Sequence, residues 1–457
     1  MSRPAADSNA HWQARDLAHL WHPCTQMKDH EQLPPIPIRS ASGVWLEDYD
    51  GKRYLDAVSS WWVNLFGHAN PVIAEAVSRQ CATLEQVILA GFSHEPVIRL
   101  SEKLAQITPG NLNRCFYADN GSSAVEIALK MSYHFWLNQG RPGKQRFAAL
   151  GNGYHGETLA ALAVGDVPLY KQTYAPLLMD AHIVPSPDCY LRQDGEEWES
   201  HSLKMVSALE DCLANHADSL CALILEPLVQ CAGGMRMYHP AYLQRARELC
   251  DAHDVHLIAD EIAVGFGRTG SLFACEQAGI TPDFMCLSKG LTGGFLPLST
   301  VVTTDQIHNA FYDDYNTQRA FLHSHSFTGN PLGCAAALAT IGLLEDGSVL
   351  TRNADTAACM RAAVAPLEHH PHVAEIRQTG MILAIEMTPN GTRHSSYDWR
   401  ERRGMQVYRY ALQQGVLLRP LGNVVYFMPP YVISKQEVQI MAQAAIEGIE
   451  IATGKGC

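Results

Sequence analysis

VHLIADEIAVGFGRTG (residues 255–270) and FMCLSKG (residues 284–290) each open on a short apolar run and then turn polar. Residues 255–259 and 284–287 are too short for buried helices and lack the alternation of half-exposed strands. They read as buried strands of a parallel sheet. Each strand would deliver one charged residue at its carboxyl end, Asp260 from the first and Lys289 from the second. In open α/β sheets ligands lie at those carboxyl ends. A lysine amine and a carboxylate placed there are the two protein groups that pyridoxal phosphate requires. The amine links covalently to the cofactor and the carboxylate keeps its ring nitrogen protonated. Singly, a lysine after a strand is ordinarily a solvated loop residue and an aspartate ending a strand is often a helix cap. The pair gains its meaning from the rest of the chain.

The 457 residues exceed what one hydrophobic core usually organises, which predicts two domains. Hydrophobic content of 47% with 18% charged residues describes a globular chain. A net charge of −13, with no basic run, argues against nucleic acid as a partner. The thirteen cysteines form no CxxC pairs or dense scaffold, so they read as reduced thiols of a cytoplasmic protein. Neither a signal-like apolar start nor a run of membrane-spanning length is seen, and no metal site is expected.

GVWLEDYDGKRYLDAVSS (residues 43–60) predicts a hairpin turning at Asp50-Gly51. From about Asn70 to Thr340, apolar strands alternate with amphipathic helical stretches, the pattern of a mostly parallel sheet covered on both faces. The expected class is α/β. Residues 68–335 would form the large domain, and residues 1–67 and 336–457 would combine into a smaller α+β domain.

RCFYADNGSSAVEIALKM (residues 114–131) reads as strand, turn and helix, with Gly121 allowing close backbone approach to an anion. Ser123 and Glu126 match a capping box, which predicts a helix start at Ser122 or Ser123 and a phosphate-binding N-terminus. Ser326 and Thr328 in HSHSFTGNP are further donors before a helix. GNGYHGET places Tyr154 and His155 in a glycine-rich turn, where Tyr154 can stack on a flat ligand. Trp61 and Trp62, read as an extended strand, would face opposite ways, one to the core and one to a pocket. Glu226 ends another strand in LILEPLVQ, and Arg419 in VLLRPLG suits a substrate carboxylate or a surface pair equally well.

These stretches, with WHPCTQM, EPLVQCAGGMRMYHP, SKGLTGG and VYFMPPY, resemble the class III, fold-type I pyridoxal-phosphate aminotransferases over nearly the whole chain. The resemblance implies a seven-stranded sheet and a homodimer with shared sites. It implies Lys289 as cofactor-bearing residue and proton shuttle, Asp260 at the ring nitrogen with Glu226 nearby, and Gly121 and Ser122 at the phosphate. Ile262 would pack on the ring face opposite Tyr154, and His325 and Ser326 would reach the neighbouring subunit's phosphate. Cys24, Trp61, Trp62, Tyr154, Arg268, Ser324, Arg419 and Tyr426 would line the substrate site. The implied reaction is amination of 8-amino-7-oxononanoate on the route to biotin, alternating between two forms of the cofactor. S-adenosylmethionine is the implied amino donor, with lysine as the alternative. Two departures bear on the donor: Cys24 replaces the Tyr of the best-known members, and HSHSFTGNP replaces the commoner HGPTF-type loop, as in relatives that use lysine.

Overall fold

The computed structural model describes residues 7–454; residues 1–6 and 455–457, which the expected segments 1–67 and 336–457 include, lie outside it. Seven strands form the central sheet, in the order Leu112–Ala118, Ser299–Thr304, Phe284–Leu287, His256–Asp260, Leu220–Leu225, Arg146–Leu150, Ala181–Val184. Only Ser299–Thr304 runs antiparallel to its neighbours; the other pairings are parallel. The expected mostly parallel sheet is present.

Its three central strands are buried at every position, which explains their apolar runs. Along His256–Asp260 the side chains alternate between two cores. Ile258 packs with Val125, Ala128 and Phe135 of the helix Gly121–Asn138. Leu257 and Ala259 join the opposite core with Leu209 and Leu213 of the helix Trp198–His216 and Leu243 of Pro240–Ala252. Period-two alternation thus feeds two helical layers. Among the described residues no single helix is long and apolar enough to cross a membrane, and every cysteine described is free.

Strands from the two ends of the chain share a sheet. The hairpin pairs Trp45–Asp48 with Arg53–Asp56 around Gly51 at φ +84°, and Val416–Leu417 adds a parallel strand to it. A second sheet comes from Val373–Thr379, Ile382–Met387 and Val424–Phe427. The expected border at 335/336 needs correcting. It cuts the helix Pro331–Leu344, which packs on Pro71–Cys81 and Glu95–Ile107 of the large domain. Helical continuity carries the large domain to about residue 344.

A buried ionic clamp joins the second sheet to the large domain. Arg377, 1% exposed, donates to the carbonyls of Met235 (2.7 Å) and Gly234 (2.6 Å) and pairs with Glu386 at 2.8 Å. Arg236 of the large domain meets the same carboxylate at 3.1 Å. Glu386→Ala removes the carboxylate that both guanidinium groups share, leaving Arg236 with Asp188 at 3.6 Å and Arg377 with Glu375 at 4.0 Å, and should cost about 3 kcal/mol. Urea unfolding of parent and variant measures this, and a loss below about 1 kcal/mol would mean that the clamp is solvated.

Candidate active site

Five neighbouring segments deliver their next residues to one edge of the sheet. The antiparallel strand Ser299–Thr304 reverses direction twice across the order, so Leu112–Ala118 again points the same way as Phe284–Leu287. Gly121, Tyr154, Glu226, Asp260 and Lys289 all follow or end strands of this common direction, and together they line one cavity of about 140 Å³. The sequence reading named each of them.

Lys289 holds φ +46°, a strained left-handed conformation for a lysine. Burial pulls its amine below the ordinary lysine range, against the opposing pull of Cys231, Asp260 and Glu226. Its Nζ lies 4.6 Å from the centre of the Trp62 ring. An amine kept from its charged form is a ready nucleophile.

Asp260, 4% exposed, accepts from the Ile262 backbone N–H at 3.1 Å and meets His155 Nδ1 at 2.7 Å. His155 Nε2 is buried without a partner, so the tautomer protonated on Nδ1 is the one this site satisfies. His155 lines the same cavity as Tyr154 and at the same time backs Asp260 through Nδ1. Glu226 accepts from the N–H groups of Tyr154 and Cys231, both at 2.9 Å. Burial nonetheless pushes its carboxyl up to about 7.

The helix after the first strand begins at Gly121, one or two residues before the expected start. Its cap is Asn120, whose side chain accepts from Ser123 N–H at 3.0 Å. Glu126 serves elsewhere, taking Thr158 Oγ1 (2.6 Å) and Ala160 N–H (2.9 Å). A capping-box pattern cannot reveal that its carboxylate has a distant partner. Gly121 and Ser122 therefore sit at the start of an 18-residue helix, facing the cavity with backbone donors. A Cβ on Gly121 would lie 3.1 Å from Ile262, and one on Gly156 would lie 2.1 Å from Ser122 Oγ, so both glycines keep the cradle open.

The tryptophan pair is not extended. Ser59, Ser60, Trp61 and Trp62 all take positive φ, between 45° and 73°, forming one left-handed turn. Each such residue costs about 1–2 kcal/mol. Both indoles reach cavities: Trp62, 3% exposed, faces Lys289, and Trp61 lies under Arg419, whose guanidinium carbon is 5.6 Å from the ring centre. Tyr426 accepts from the Trp62 indole N–H at 3.0 Å. Trp61, Arg419 and Tyr426 line a second cavity of about 290 Å³. That cavity shares Arg419 with a third, of about 850 Å³, which Cys24 lines. Cys24 Sγ lies 4.0 Å from the hydroxyl of Tyr170, a residue the sequence did not single out. Tyr170 in turn meets the Tyr154 ring edge-on at 5.3 Å.

Arg268 departs from expectation. It is 1% exposed and lines none of the three cavities. Its guanidinium donates to the carbonyls of Pro429 (2.8 Å), Asn64 (3.0 Å) and Trp62 (3.3 Å), behind the tryptophan turn. Ser324, His325 and Ser326 also line none of these cavities. His325 Nε2 approaches the Tyr117 carbonyl at 3.3 Å, while Ser324 and Ser326 are exposed.

The inner cavity fits pyridoxal phosphate group for group. Lys289 suits its aldehyde, Asp260 its ring nitrogen, and the Gly121–Ser122 helix start its phosphate. The family model described as Aminotransferase class-III matches residues 25–449. The adenosylmethionine-8-amino-7-oxononanoate aminotransferase of Helicobacter pylori is 47% identical over 95% of this chain and 96% of its own length. That of Geobacter sulfurreducens is 41% identical over 96% and 97%. Among solved structures, the Methanocaldococcus jannaschii enzyme of the same name superposes with a TM-score of 0.89 at 34% identity, covering 96% of this chain and 98% of that one. An omega transaminase from Pseudomonas jessenii, in complex with PMP, gives 0.92 at 28% identity, covering 97% and 99%.

Glu226 yields a prediction for the cofactor-free protein. A carboxyl raised from 4.5 to about 7 on folding contributes stability below pH 4.5 that is lost as the pH rises towards 7. Between those limits, the stability of Glu226→Gln relative to the parent should shift in the variant's favour by roughly 3 kcal/mol. Only the pH-dependent part of the difference counts, since the amide also loses an acceptor. Chemical denaturation at several pH values reads it, and a flat difference would show that Glu226 stays ionised in the folded protein.

Proposed function

The chain belongs to the class-III aminotransferases, and on that premise we propose that it aminates 8-amino-7-oxononanoate to 7,8-diaminononanoate for biotin synthesis. The observation that carries this reading is the separation of two functions along one path. A buried amine, Lys289, ends the inner cavity, and an outlying guanidinium, Arg419, faces the next ones without a carboxylate in ion-pair distance among the described residues. An oxo acid with its carbonyl near one end and its carboxylate at the other matches that layout.

In this reading Gly121 and Ser122 hold the phosphate of pyridoxal phosphate, Asp260 its ring nitrogen and Lys289 its aldehyde carbon, with Ile262 and Tyr154 beside the ring. When bound, the cofactor supplies an electron sink for charge on the carbon next to the transferred nitrogen. Lys289 is the group that takes up and returns the proton at that carbon, a role favoured by the burial that lowers its basicity. Asp260, fixed by His155 and Ile262 N–H, supports a positive ring nitrogen. Arg419 grips the carboxylate, and Trp61, Trp62 and Tyr426 exclude water around the path.

S-adenosylmethionine is our choice of donor, supported by the names of the relatives and by the aromatic faces of Trp61, Trp62 and Tyr154. Tyr170, beside Cys24, adds a phenol near the place where the thiol offers no ring. A second copy of the chain completes the assembly in this reading. Tyr315 (99% exposed) and Leu322 (91%) flank the segment with His325 and Ser326, which would reach the partner's phosphate. Free thiols throughout the described chain suit a cytoplasmic location.

Borohydride treatment should fix the cofactor covalently on Lys289, and Lys289→Ala should lose turnover by several orders of magnitude. Peptide mass mapping that finds the label on Lys130 or Lys171 would overturn the assignment. With a panel of donors, the oxo acid should gain one amino group, read by product mass, most readily from S-adenosylmethionine. Arg419→Ala should lower kcat/KM for the oxo acid by about 10–10²-fold, the loss expected for one charge-assisted pair at a half-buried guanidinium. If lysine serves as donor and S-adenosylmethionine does not, the donor choice fails while the reaction stands.

A further inference from the structure

Four successive non-glycine residues in left-handed conformation need something that over-determines them. For Ser59–Trp62 the side chain that does this is Asp56, at the end of the strand Arg53–Asp56 and 0% exposed. Its Oδ1 accepts from the backbone N–H groups of Val58 (3.2 Å) and Ser60 (3.0 Å). Its Oδ2 accepts from Ser60 Oγ (2.8 Å) and meets His68 Nε2 at 2.9 Å. The far side of the His68 ring lies 3.2 Å from Asn64 Nδ2, so the carboxylate grips the turn at its start and, through His68, the loop that follows it. The strand itself does not depend on this side chain. Asp56 N–H bonds the Val44 carbonyl at 2.8 Å, and the residue pairs with Leu417 through the backbone.

We propose that Asp56 is a positioning residue for amino transfer. Its carboxylate holds the turn that sets Trp62 against the Lys289 amine and Trp61 against Arg419. This deepens the aminotransferase reading and rests on it for the identity of the substrate, but the orientation of the indoles is a property of the chain alone. A neutral amide can still accept from the Val58 and Ser60 N–H groups, but it loses the charge and turns a donor towards Ser60 Oγ and His68, which must then accept instead. Asp56→Asn should therefore release part of the turn while leaving the sheet in place.

The experiment compares the cofactor-loaded parent, Asp56→Asn, Trp62→Phe and the double variant, with far-ultraviolet circular dichroism as the check on folding. Subtracting the Trp62→Phe emission isolates Trp62 from the other seven of the chain's eight tryptophans. Quenching of that indole by cofactor bound at Lys289 should weaken in Asp56→Asn. The kcat/KM for the oxo acid should fall about tenfold or more in each single variant. The double variant should be no slower than the slower single one, since both changes act through the same ring. Unchanged quenching, a rate within twofold of the parent, or losses that multiply in the double variant would each overturn the proposal. Should Asp56→Asn fail to fold, Ser60→Ala removes one of the same contacts and is judged by the same three criteria. A parent that does not aminate the oxo acid would sink the substrate assignment, and the quenching comparison would still decide the role of Asp56.

Discussion

Everything at this site depends on holding a lysine amine inside the protein beside two carboxylates. Desolvation drives the amine towards its neutral form, while Asp260 and Glu226 pull it back. That balance is possible only because neighbouring strands point the same way. Parallel strands place their carboxyl ends at one edge, so residues distant in sequence arrive within one small cavity. The helices covering both faces of the sheet follow from the same demand, since a parallel sheet must be buried on both sides.

Around this edge the loops are held by charged groups whose partners are backbone atoms. Glu226 binds the N–H groups of Tyr154 and Cys231, Arg268 binds carbonyls on both sides of the tryptophan turn, and Asp56 binds the turn from the opposite direction. Buried charges satisfied by backbone are expensive to assemble but rigid once made. They fix aromatic rings that would otherwise lie on mobile loops. Arg268, which lines none of the cavities, touches only the loops behind the site, whereas Glu226 both holds its loop and lines the inner cavity.

The small domain contributes the outer half of the path. Arg419 follows the strand Val416–Leu417, which is paired with the strand that ends in Asp56. The guanidinium and the tryptophan turn beneath it are therefore anchored to one sheet. The Arg377–Glu386–Arg236 clamp then ties the neighbouring sheet to the large domain.

The sheet was legible in the amino-acid sequence because residues 220–225, 257–259 and 284–287 are unbroken apolar runs, with Glu226 and Asp260 directly after the first two and Lys289 two residues after the third. The hairpin around Gly51 was legible for the same kind of local reason, a turn that needs positive φ. Cys24 and Arg419 stood out by residue type and motif. What the sequence could not carry were contacts made at long range. Glu126 looks like a capping residue until Thr158 arrives thirty-two positions later to take its carboxylate. Arg268 looks like a cavity wall until tertiary packing turns it onto the carbonyls of Trp62, Asn64 and Pro429, and the bond from His155 to Asp260 spans 105 positions. SSWW carries no glycine to announce a left-handed turn, and that conformation is held by the buried Asp56 carboxylate, by Arg268 on the Trp62 carbonyl and by the Ser59 hydroxyl on the Met428 carbonyl. Local periodicity and turn chemistry are written in neighbouring residues, whereas the partner of a buried charge is chosen by the fold as a whole.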